Sequence, residues 1–313
     1  MATPTTAIGI DFGGTSVKSA VVRSGAIVQR GALIDPQAFA SSADLIDELV
    51  RLIESLRGDH SDVAGVGIGL PGFVDSAHGI VHELTNVAGW DEVPLCQILH
   101  ERTGLAAAIE NDVNAMTYAE WKHGAARGGK HTICITLGTG VGGGLILDGR
   151  LYRGGQFAAG EIGHASIDYR GVPGPYGNFG GLEEYVGNSQ IAARAAQLYA
   201  AAGVNKAADE CTPKGLDRAA QAGDRIALDL WETIGTEIGC ALVNAIWLLN
   251  PDTIVIGGGV AKAGELLLLP IRRTIHARTS DVFHDHLRVV LAQLGNEAGM
   301  IGCAELALEM AQC

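Results

Sequence analysis

Two glycine-rich turns, each between apolar runs typical of β-strands, constrain the fold of this chain more than any other feature. The first lies in IGIDFGGTSVKSAVV, which starts at Ile8, and the second in ICITLGTGVGGGLIL, which starts at Ile133. Each apolar strand ends in a Gly/Thr turn, and a second apolar run follows at once. Such turns leave backbone N–H groups unscreened by side chains, where an anionic ligand can accept hydrogen bonds. The pair predicts a duplicated fold that binds a polyphosphate between its halves.

Length and composition predict an ordered protein of two domains. The 313 residues can form two sizeable cores, and 47% hydrophobic with 18% charged residues excludes a disordered chain. A net charge of −13 argues against a nucleic-acid partner. No apolar run is long enough to span a membrane, and the first residues lack the pattern of a secretory signal. Six scattered cysteines without a CxxC pair predict free thiols in a reducing cytoplasm.

The predicted order of strands and helices belongs to the α/β class and restarts midway. Three short strands precede an amphipathic helix at about Ser42–Leu56, whose leucines and Ile53 share one stripe. We expect a domain break within residues 118–130, after which the strand pattern repeats. Residues 154–187 lack regular periodicity and have the character of a binding segment. A long helix is predicted from Asp224 to Leu249, and a last helix, at about 297–311, is expected to pack on the first domain.

The first turn, DFGGT, places an acid at the end of a buried strand. Asp11 could hold Mg²⁺ through water, while the N–H groups of Gly13, Gly14 and Thr15 surround a phosphate and Lys18 adds positive charge. An ordinary hairpin turn has the same composition, since Asp and Gly are common there. The presence of the second hairpin favours the phosphate site.

The second turn contains a formal GxGxxG pattern at Gly138, Gly140 and Gly143. A dinucleotide-binding loop of that pattern must open a helix, whereas here a strand follows, so this interpretation is rejected. GAARGGKH, from Gly124, imitates a P-loop but lacks Ser or Thr after its lysine and precedes a strand. The match to a P-loop is therefore accidental.

ENDVNA places Asn111 and Asp112 where a strand passes into a helix. Asn and Asp are favoured helix N-caps, which is one explanation for both residues. An Asp at that point can also take a proton from an attacking hydroxyl group. The two explanations are compatible, because a capping residue also sits at the mouth of an open α/β crevice.

Three polar residues bracket the irregular segment: Glu161 and His164 in AGEIGH, and Glu183 in GGLEEY. Together they could bind several hydroxyl groups of one sugar. An isolated Glu or His in a loop is usually only solvated, but the neighbouring glycines and aromatic residues favour a site. Paired carboxylates are also typical of a glycosidase, although both glycine hairpins would then have no role.

Taken in order, these motifs resemble those of ROK family sugar kinases and related repressors, within the actin/hexokinase/Hsp70 superfamily. The resemblance is carried by DFGGTSVK, GIGLPGFVD, TNVAGW, ENDVNA, TLGTGVGGGLILDG, GEIGH, GGLEEYVG and NPDTIVIGGGV, which span nearly the whole chain. It implies an α/β protein of two actin-like (ribonuclease H-like) domains with an interdomain cleft and ATP–Mg²⁺ along its floor. The domains would be residues 1–120 with 297–313, and residues 121–296.

The same resemblance implies a role for each site residue. Asp112 matches the catalytic base, and Asp11 would bind Mg²⁺ through water. The sugar would be bound by Gly72, Asn86, Asn111, Asp112, Glu161, His164 and Glu183. The nucleotide would be bound by Asp11, Gly13, Gly14, Thr15, Lys18, Thr139, Gly140, Gly257, Gly258 and Gly259, with the last three near the nucleoside.

One departure from the family concerns its zinc site, made by the GH histidine and a CxCGxxGC run. That run aligns here with GPYGNFGG, so Gly174, Tyr176 and Gly181 occupy the three cysteine positions. With His164 alone, a four-coordinate thiolate zinc site cannot form. We therefore predict no zinc, and expect Tyr176 and Phe179 to help hold the loop.

The resulting prediction is a cytoplasmic, ATP- and Mg²⁺-dependent hexose kinase, a glucokinase by preference, which forms a homodimer and binds neither nucleic acid nor membrane. Alternatives are a kinase for N-acetylmannosamine, mannose, allose or fructose, or one that uses polyphosphate as donor. A ROK repressor would need a helix-turn-helix, whereas only seven residues precede the first strand. An actin-like ATPase that acts on a protein partner is disfavoured by the GEIGH and LEE segments.

Overall fold

A computed structural model describes residues 5–84 and 89–312, and the chain divides into two compact units. Unit 1 comprises Met1–Gly128, Leu151–Ala159 and Leu294–Cys313, and unit 2 comprises Gly129–Arg150 and Gly160–Gln293. Leu151–Ala159 thus belongs to unit 1, although it lies in the range predicted for the second domain.

The first part of the chain alternates strands and helices. Its elements are β1 (Thr6–Phe12), β2 (Val17–Arg23), β3 (Ala26–Arg30), α1 (Ser42–Gly58), β4 (Gly65–Leu70), β5 (Val74–Asp75), β6 (Ile80–Glu83), β7 (Asp91–Val93), α2 (Leu95–Thr103), β8 (Ala106–Asn111) and α3 (Asp112–His123). The rest of the chain forms β9 (Thr132–Leu137), β10 (Val141–Leu147), β11 (Arg150–Tyr152), α4 (Glu183–Val186), α5 (Asn188–Ala201), α6 (Pro213–Gln221), α7 (Arg225–Leu249), β12 (Thr253–Gly257), α8 (Glu265–Arg278), β13 (Arg288–Leu291) and α9 (Ala298–Met310).

Two five-stranded sheets share one strand arrangement. The first has the order β3-β2-β1-β4-β8 and the second the order β11-β10-β9-β12-β13. In each, the central strand pairs antiparallel with the strand after its glycine turn and parallel with a later strand. The predicted α/β class is confirmed, and both glycine turns are hairpins, as expected.

The first sheet packs two different helix layers on its faces because its side chains alternate. Ile8, Ile10 and Phe12 of β1 belong to the core formed with α1 and α2. The opposite face carries small residues, and α9 lies against it. A Cβ at Gly9 or Gly67 would collide with the main chain of α9, so these glycines permit the close approach. The last helix therefore packs on the first sheet.

Unit 2 has its own core around α7. Trp231, Ile234, Ile238 and Leu242 of this helix are buried with residues of β9, β12 and α8. The helix begins where the Asp224 side chain accepts hydrogen bonds from two backbone N–H groups, and ends at Asn250 with φ 45°. The predicted bounds of the helix are confirmed, because an Asp cap and an Asn-Pro stop are strong local signals.

Three predicted features differ from the structure. The apolar pattern predicts the third short strand over about Ile27–Leu33, whereas β3 ends at Arg30. It predicts no strand directly before the helix near Leu95, where β7 pairs with β6. The irregular segment contains α4 and a turn of 3₁₀ helix at Ile162–His164. Elements of three or four residues are too short to show periodicity. In the described ranges, no helix is both long and apolar enough to cross a membrane.

Candidate active site

The first glycine turn carries an acid and a base on adjacent strands. Asp11 of β1 is the register partner of Lys18 of β2, and Lys18 Nζ lies 3.7 Å from Asp11 Oδ2. Burial raises the pKa of Asp11, and the Lys18 ammonium opposes that rise. Gly13 N–H donates to Ser16 O at 3.0 Å, and Thr15 is exposed at the tip of the turn.

Asp11 fits a Mg²⁺ site of the water-mediated kind. Mg²⁺ prefers carboxylate oxygens and retains several of its waters, so a single Asp can hold it against a phosphate ligand. The Asp11 side chain is 23% exposed, which leaves room for water. It also lies against Gly299 at the start of α9, where a Cβ would come 2.9 Å from Asp11 Cγ.

Asn111 is the N-cap of α3, and it contacts Gly72, a second residue of the predicted sugar site. Its Oδ1 accepts hydrogen bonds from Val113 N–H at 2.9 Å and Asn114 N–H at 3.1 Å. Its Nδ2 donates to Gly72 O at 3.4 Å. Asp112, the first residue of the helix, is half-buried next to this cap. The capping explanation is therefore confirmed, and it leaves the Asp112 carboxyl at the strand-to-helix junction.

The buried Glu110 and the half-buried Arg153 form an ion pair directly before this junction. Arg153 Nε donates to Glu110 Oε2 at 2.6 Å, and Glu110 is only 3% exposed. The other oxygen, Oε1, accepts from Asn111 N–H and from Asn114 Nδ2, each at 3.0 Å. Both carboxylate oxygens are thus bonded, and Glu110 supports the backbone that carries Asn111 and Asp112.

The second glycine turn is bonded to the segment that follows the irregular region. Glu183 Oε2 accepts a hydrogen bond from Val141 N–H at 2.7 Å, and Asn188 N–H donates to Gly138 O at 2.9 Å. Gly138 N–H donates to Gly140 O across the turn at 2.9 Å. The turn is therefore fixed by α4 and by the start of α5.

Glu161, His164 and Glu183 form one electrostatic cluster. Partial burial of the Glu161 carboxyl group raises its pKa, although part of the residue is exposed to solvent. The neighbouring Glu183 carboxylate adds to the rise, whereas His164 opposes it. Two carboxylates and an imidazole in one cluster can accept and donate hydrogen bonds to a ligand with several hydroxyl groups.

Backbone bridges and side chains hold the 164–183 segment. The His164 and Tyr176 rings meet edge to face, with centroids 5.0 Å apart. Asn178 Nδ2 donates to His164 O at 2.9 Å, and Ser166 Oγ donates to Phe179 O at 2.6 Å. Isolated bridges join Pro173 to Phe179 and Ser166 to Gly181. All of these contacts join residues within the segment, so they stabilise its conformation locally.

The family's zinc does not fit this segment. Of the four positions that would coordinate it, only His164 offers a ligand of the required kind, because the three cysteine positions hold Gly174, Tyr176 and Gly181. No group of three or more His, Cys, Asp or Glu residues suited to a metal occurs within residues 5–84 and 89–312.

A cavity of about 710 Å³ lies in unit 2. It is lined by residues from the starts of α5 and α6 and from the turn after β12, among them Asn188, Ser189, Lys214, Asp217, Gly259 and Lys262. Gly257 ends β12 as the register partner of Thr136, and Gly258, with φ 87°, packs against Leu137. The cavity therefore adjoins the second glycine turn.

Sequence reasoning missed several residues of these clusters. Glu110 was visible as an isolated charge in an apolar strand, but nothing in the sequence pairs it with Arg153, 43 residues away. Lys214 and Lys262 reach the cavity from separate elements without a shared motif. Asn86 lies outside the described residues. The assigned roles of the site residues stay predictions.

Comparison with known proteins gives one consistent result. The ROK family model matches residues 7–310. The glucokinase of Halalkalibacterium halodurans is 35% identical, over 94% of this chain and 92% of that protein. The glucokinase of Streptomyces coelicolor is 33% identical, over 96% and 97%. A ROK family glucokinase from Streptomyces griseus, solved with glucose and AMPPNP, has a TM-score of 0.80 at 32% identity, over 97% of this chain and 99% of that chain.

The fold is thus the α/β fold of the ROK sugar-kinase structures, with its repeated sheets and paired glycine turns. The chain belongs to the ROK family. The resemblance drawn from the sequence motifs is confirmed.

Proposed function

We propose that this protein is a glucokinase, which transfers the γ-phosphoryl group of ATP to the terminal hydroxyl of glucose. One observation carries the proposal beyond family membership. The second glycine turn is bonded to Glu183 of the Glu161 cluster. It also adjoins the 710 Å³ cavity through Asn188, which lines it, and through Gly258, which packs on Leu137 and precedes the lining residue Gly259. A phosphate bound at this turn would have a polyol site on one side and a nucleoside-sized cavity on the other.

The proposed mechanism assigns the proton transfer to Asp112. The sugar hydroxyl oxygen attacks the γ-phosphorus while Asp112 accepts the hydroxyl proton, and ADP leaves. Backbone N–H groups of both glycine turns stabilise the charge that spreads over the phosphoryl oxygens. Lys18, although paired with Asp11, adds positive charge at the first turn.

Mg²⁺ would be held at Asp11 and would neutralise phosphate charge during the transfer. Zinc is not part of the proposal, because the donor set of the 164–183 segment does not fit it. Gly72, Asn86, Asn111, Glu161, His164 and Glu183 are proposed to bind the sugar. Gly13, Gly14, Thr15, Thr139, Gly140 and Gly257–Gly259 are proposed to bind the nucleotide.

Assembly and location are proposed from the same family membership. We infer a homodimer, which the mass of the protein in solution at several concentrations would test. A cytoplasmic location is supported by the cysteines, since Cys211 and Cys303 are buried and form no disulfide within the described part of the chain.

The testing experiment is a coupled assay for ADP release with ATP–Mg²⁺ against glucose, mannose, allose, fructose, N-acetylmannosamine and N-acetylglucosamine. We expect the highest kcat/KM with glucose. Asp112→Asn should lower kcat roughly 10²-fold or more, whereas Asp285→Asn, an exposed Asp in unit 2, should have no effect.

Three outcomes would contradict the proposal. Near-normal turnover in Asp112→Asn would remove the assigned base. Turnover with polyphosphate but not with ATP would show that ATP is not the phosphoryl donor. ATP hydrolysis that does not depend on sugar would show that the sugar is not the acceptor.

A further inference from the structure

The Glu183 side chain contacts the second glycine turn at two consecutive residues. Its Oε2 accepts the Val141 N–H hydrogen bond at 2.7 Å. The same oxygen packs on Gly140, because a Cβ built at Gly140 would lie 2.6 Å from it. Gly140 therefore provides the space in which the carboxylate reaches the backbone of the turn.

The same side chain belongs to the polyol cluster. Glu183 lies close enough to Glu161 to raise the pKa of the Glu161 carboxyl. The hydrogen bond from the turn is accepted by Oε2 of Glu183. A carboxylate has about four acceptor positions, so Glu183 can accept a hydrogen bond from a ligand hydroxyl while it keeps Val141 N–H.

The backbone after Glu183 also follows the turn. Gly187 N–H donates to Glu183 O at 3.1 Å, and the next residue, Asn188, donates to Gly138 O. Asn188 lines the cavity. A short path of bonded groups thus runs from the polyol cluster through Glu183 to the turn and the cavity, entirely within unit 2.

We propose that Glu183 couples the two substrates: a sugar hydroxyl bonded to its carboxylate holds the Gly138–Val141 turn in the form that binds the nucleotide phosphates. This inference rests on the proposed function, since it needs a sugar at the cluster and phosphates at the turn. Each ligand must order the same carboxylate and turn. Whichever binds second meets a site already ordered, which gives positive and reciprocal cooperativity.

Two simpler roles make different predictions. If Glu183 were only a sugar ligand, its loss would weaken glucose binding equally with and without nucleotide. If it were only a structural support of the turn, its loss would weaken nucleotide binding equally with and without glucose. Only coupling requires that the loss of Glu183 change, for each ligand, the ratio of its affinities with and without the other ligand.

The test is calorimetric titration of AMPPNP–Mg²⁺ with and without saturating glucose, and of glucose with and without AMPPNP–Mg²⁺. We expect about tenfold tighter binding of each ligand in the presence of the other, within the usual range of such couplings. In Glu183→Ala the ratio should fall to within about twofold of one. Glu184→Ala, the neighbouring glutamate of the same short helix, should keep the wild-type ratio.

Gly140→Ala provides a second variant that retains the carboxylate. Its new Cβ would displace Glu183 from the turn but leave it in the polyol cluster. We expect near-normal glucose affinity without nucleotide. The affinity of each ligand should no longer depend on the presence of the other. Far-ultraviolet circular dichroism and thermal melting would verify that each variant is folded.

The outcomes separate this inference from the proposed function. Wild-type protein that phosphorylates glucose but binds the ligands independently would overturn the coupling alone. So would variants at both positions that keep the tenfold ratio. Wild-type protein without glucose kinase activity would instead reject the proposed function.

Discussion

Glu110 and Arg153 are joined by a 2.6 Å hydrogen bond between a buried carboxylate oxygen and the arginine Nε. The pair connects Leu151–Ala159, which lies between two sequence segments of unit 2, to the strand that ends at Asn111. Because Glu110 also bonds Asn111 N–H and Asn114 Nδ2, the arginine stabilises the charge on which the start of α3 depends.

We predict that Arg153→Met destabilises the protein by about 3 kcal/mol, because it leaves Glu110 buried without its ionic partner. The free energy of unfolding from denaturant titration checks this. We also expect a lower kcat for sugar phosphorylation, since the support of Asn111 and Asp112 is weakened.

Two comparisons make this prediction specific. Arg150→Met, at an exposed arginine of β11, should leave stability unchanged. Adding Glu110→Gln to Arg153→Met should recover part of the loss, because the buried charge is then absent. An unaltered free energy of unfolding in Arg153→Met would contradict the assigned role of the pair.

Asn111 should show separable structural and binding roles. Asn111→Ala removes the cap of α3 and should cost about 1 kcal/mol of stability. Asn111→Ser keeps an N-cap oxygen and should restore that stability, yet it lacks the amide donor. We therefore expect the KM for glucose to stay raised by about tenfold in the serine variant, as for one lost hydrogen bond. Steady-state kinetics beside denaturant titration would measure both effects, and a serine variant with normal KM would remove Asn111 from the sugar site.

Asp11 should make folding less favourable at neutral pH than an uncharged residue would. Burial raises the pKa of Asp11 above its ordinary value of 3.8, so the folded protein binds this proton more tightly than the unfolded chain. The stability from this group is complete below pH 3.8 and is lost as pH rises through the raised pKa. Asp11→Asn should thus be more stable than wild type at pH 7, and the difference should vanish in acid.

Asp252 supplies a control of opposite sign. Burial alone would raise the pKa of Asp252, but hydrogen bonds from His131 N–H, the Thr253 hydroxyl and Lys130 N–H lower it below its ordinary value. Asp252→Asn should therefore be less stable than wild type at pH 7. Thermal melting of both variants across pH would show the two signs, and equal signs would refute the assignment for Asp11.

The 164–183 segment should fold and function without zinc. After dialysis against a chelator and return of Mg²⁺, we expect full activity and substoichiometric zinc by elemental analysis. One zinc per chain would contradict this.

Asn178→Ala, which removes the hydrogen bond to His164 O, should raise the KM for glucose, whereas Val172→Ala at an exposed position should not.

Local sequence signals determined much of this fold. The apolar runs predicted the central strands, the Gly/Thr turns predicted both hairpins, and the Asn and Asp caps placed the starts of α3 and α7. These features depend on residues close in sequence, so the chemistry of a short segment is sufficient. The motifs were likewise sufficient to predict the family.

Tertiary structure decided the contacts between distant segments. The sequence could not pair Arg153 with Glu110, aim Glu183 at Val141 N–H, or bring the lysines of α6 and the β12 turn to one cavity. Such contacts depend on how strands and helices pack, and a single charge or carbonyl carries no periodic signal for its partner. The sequence alone thus determined the elements and the candidate chemistry, whereas packing determined which groups support and connect them.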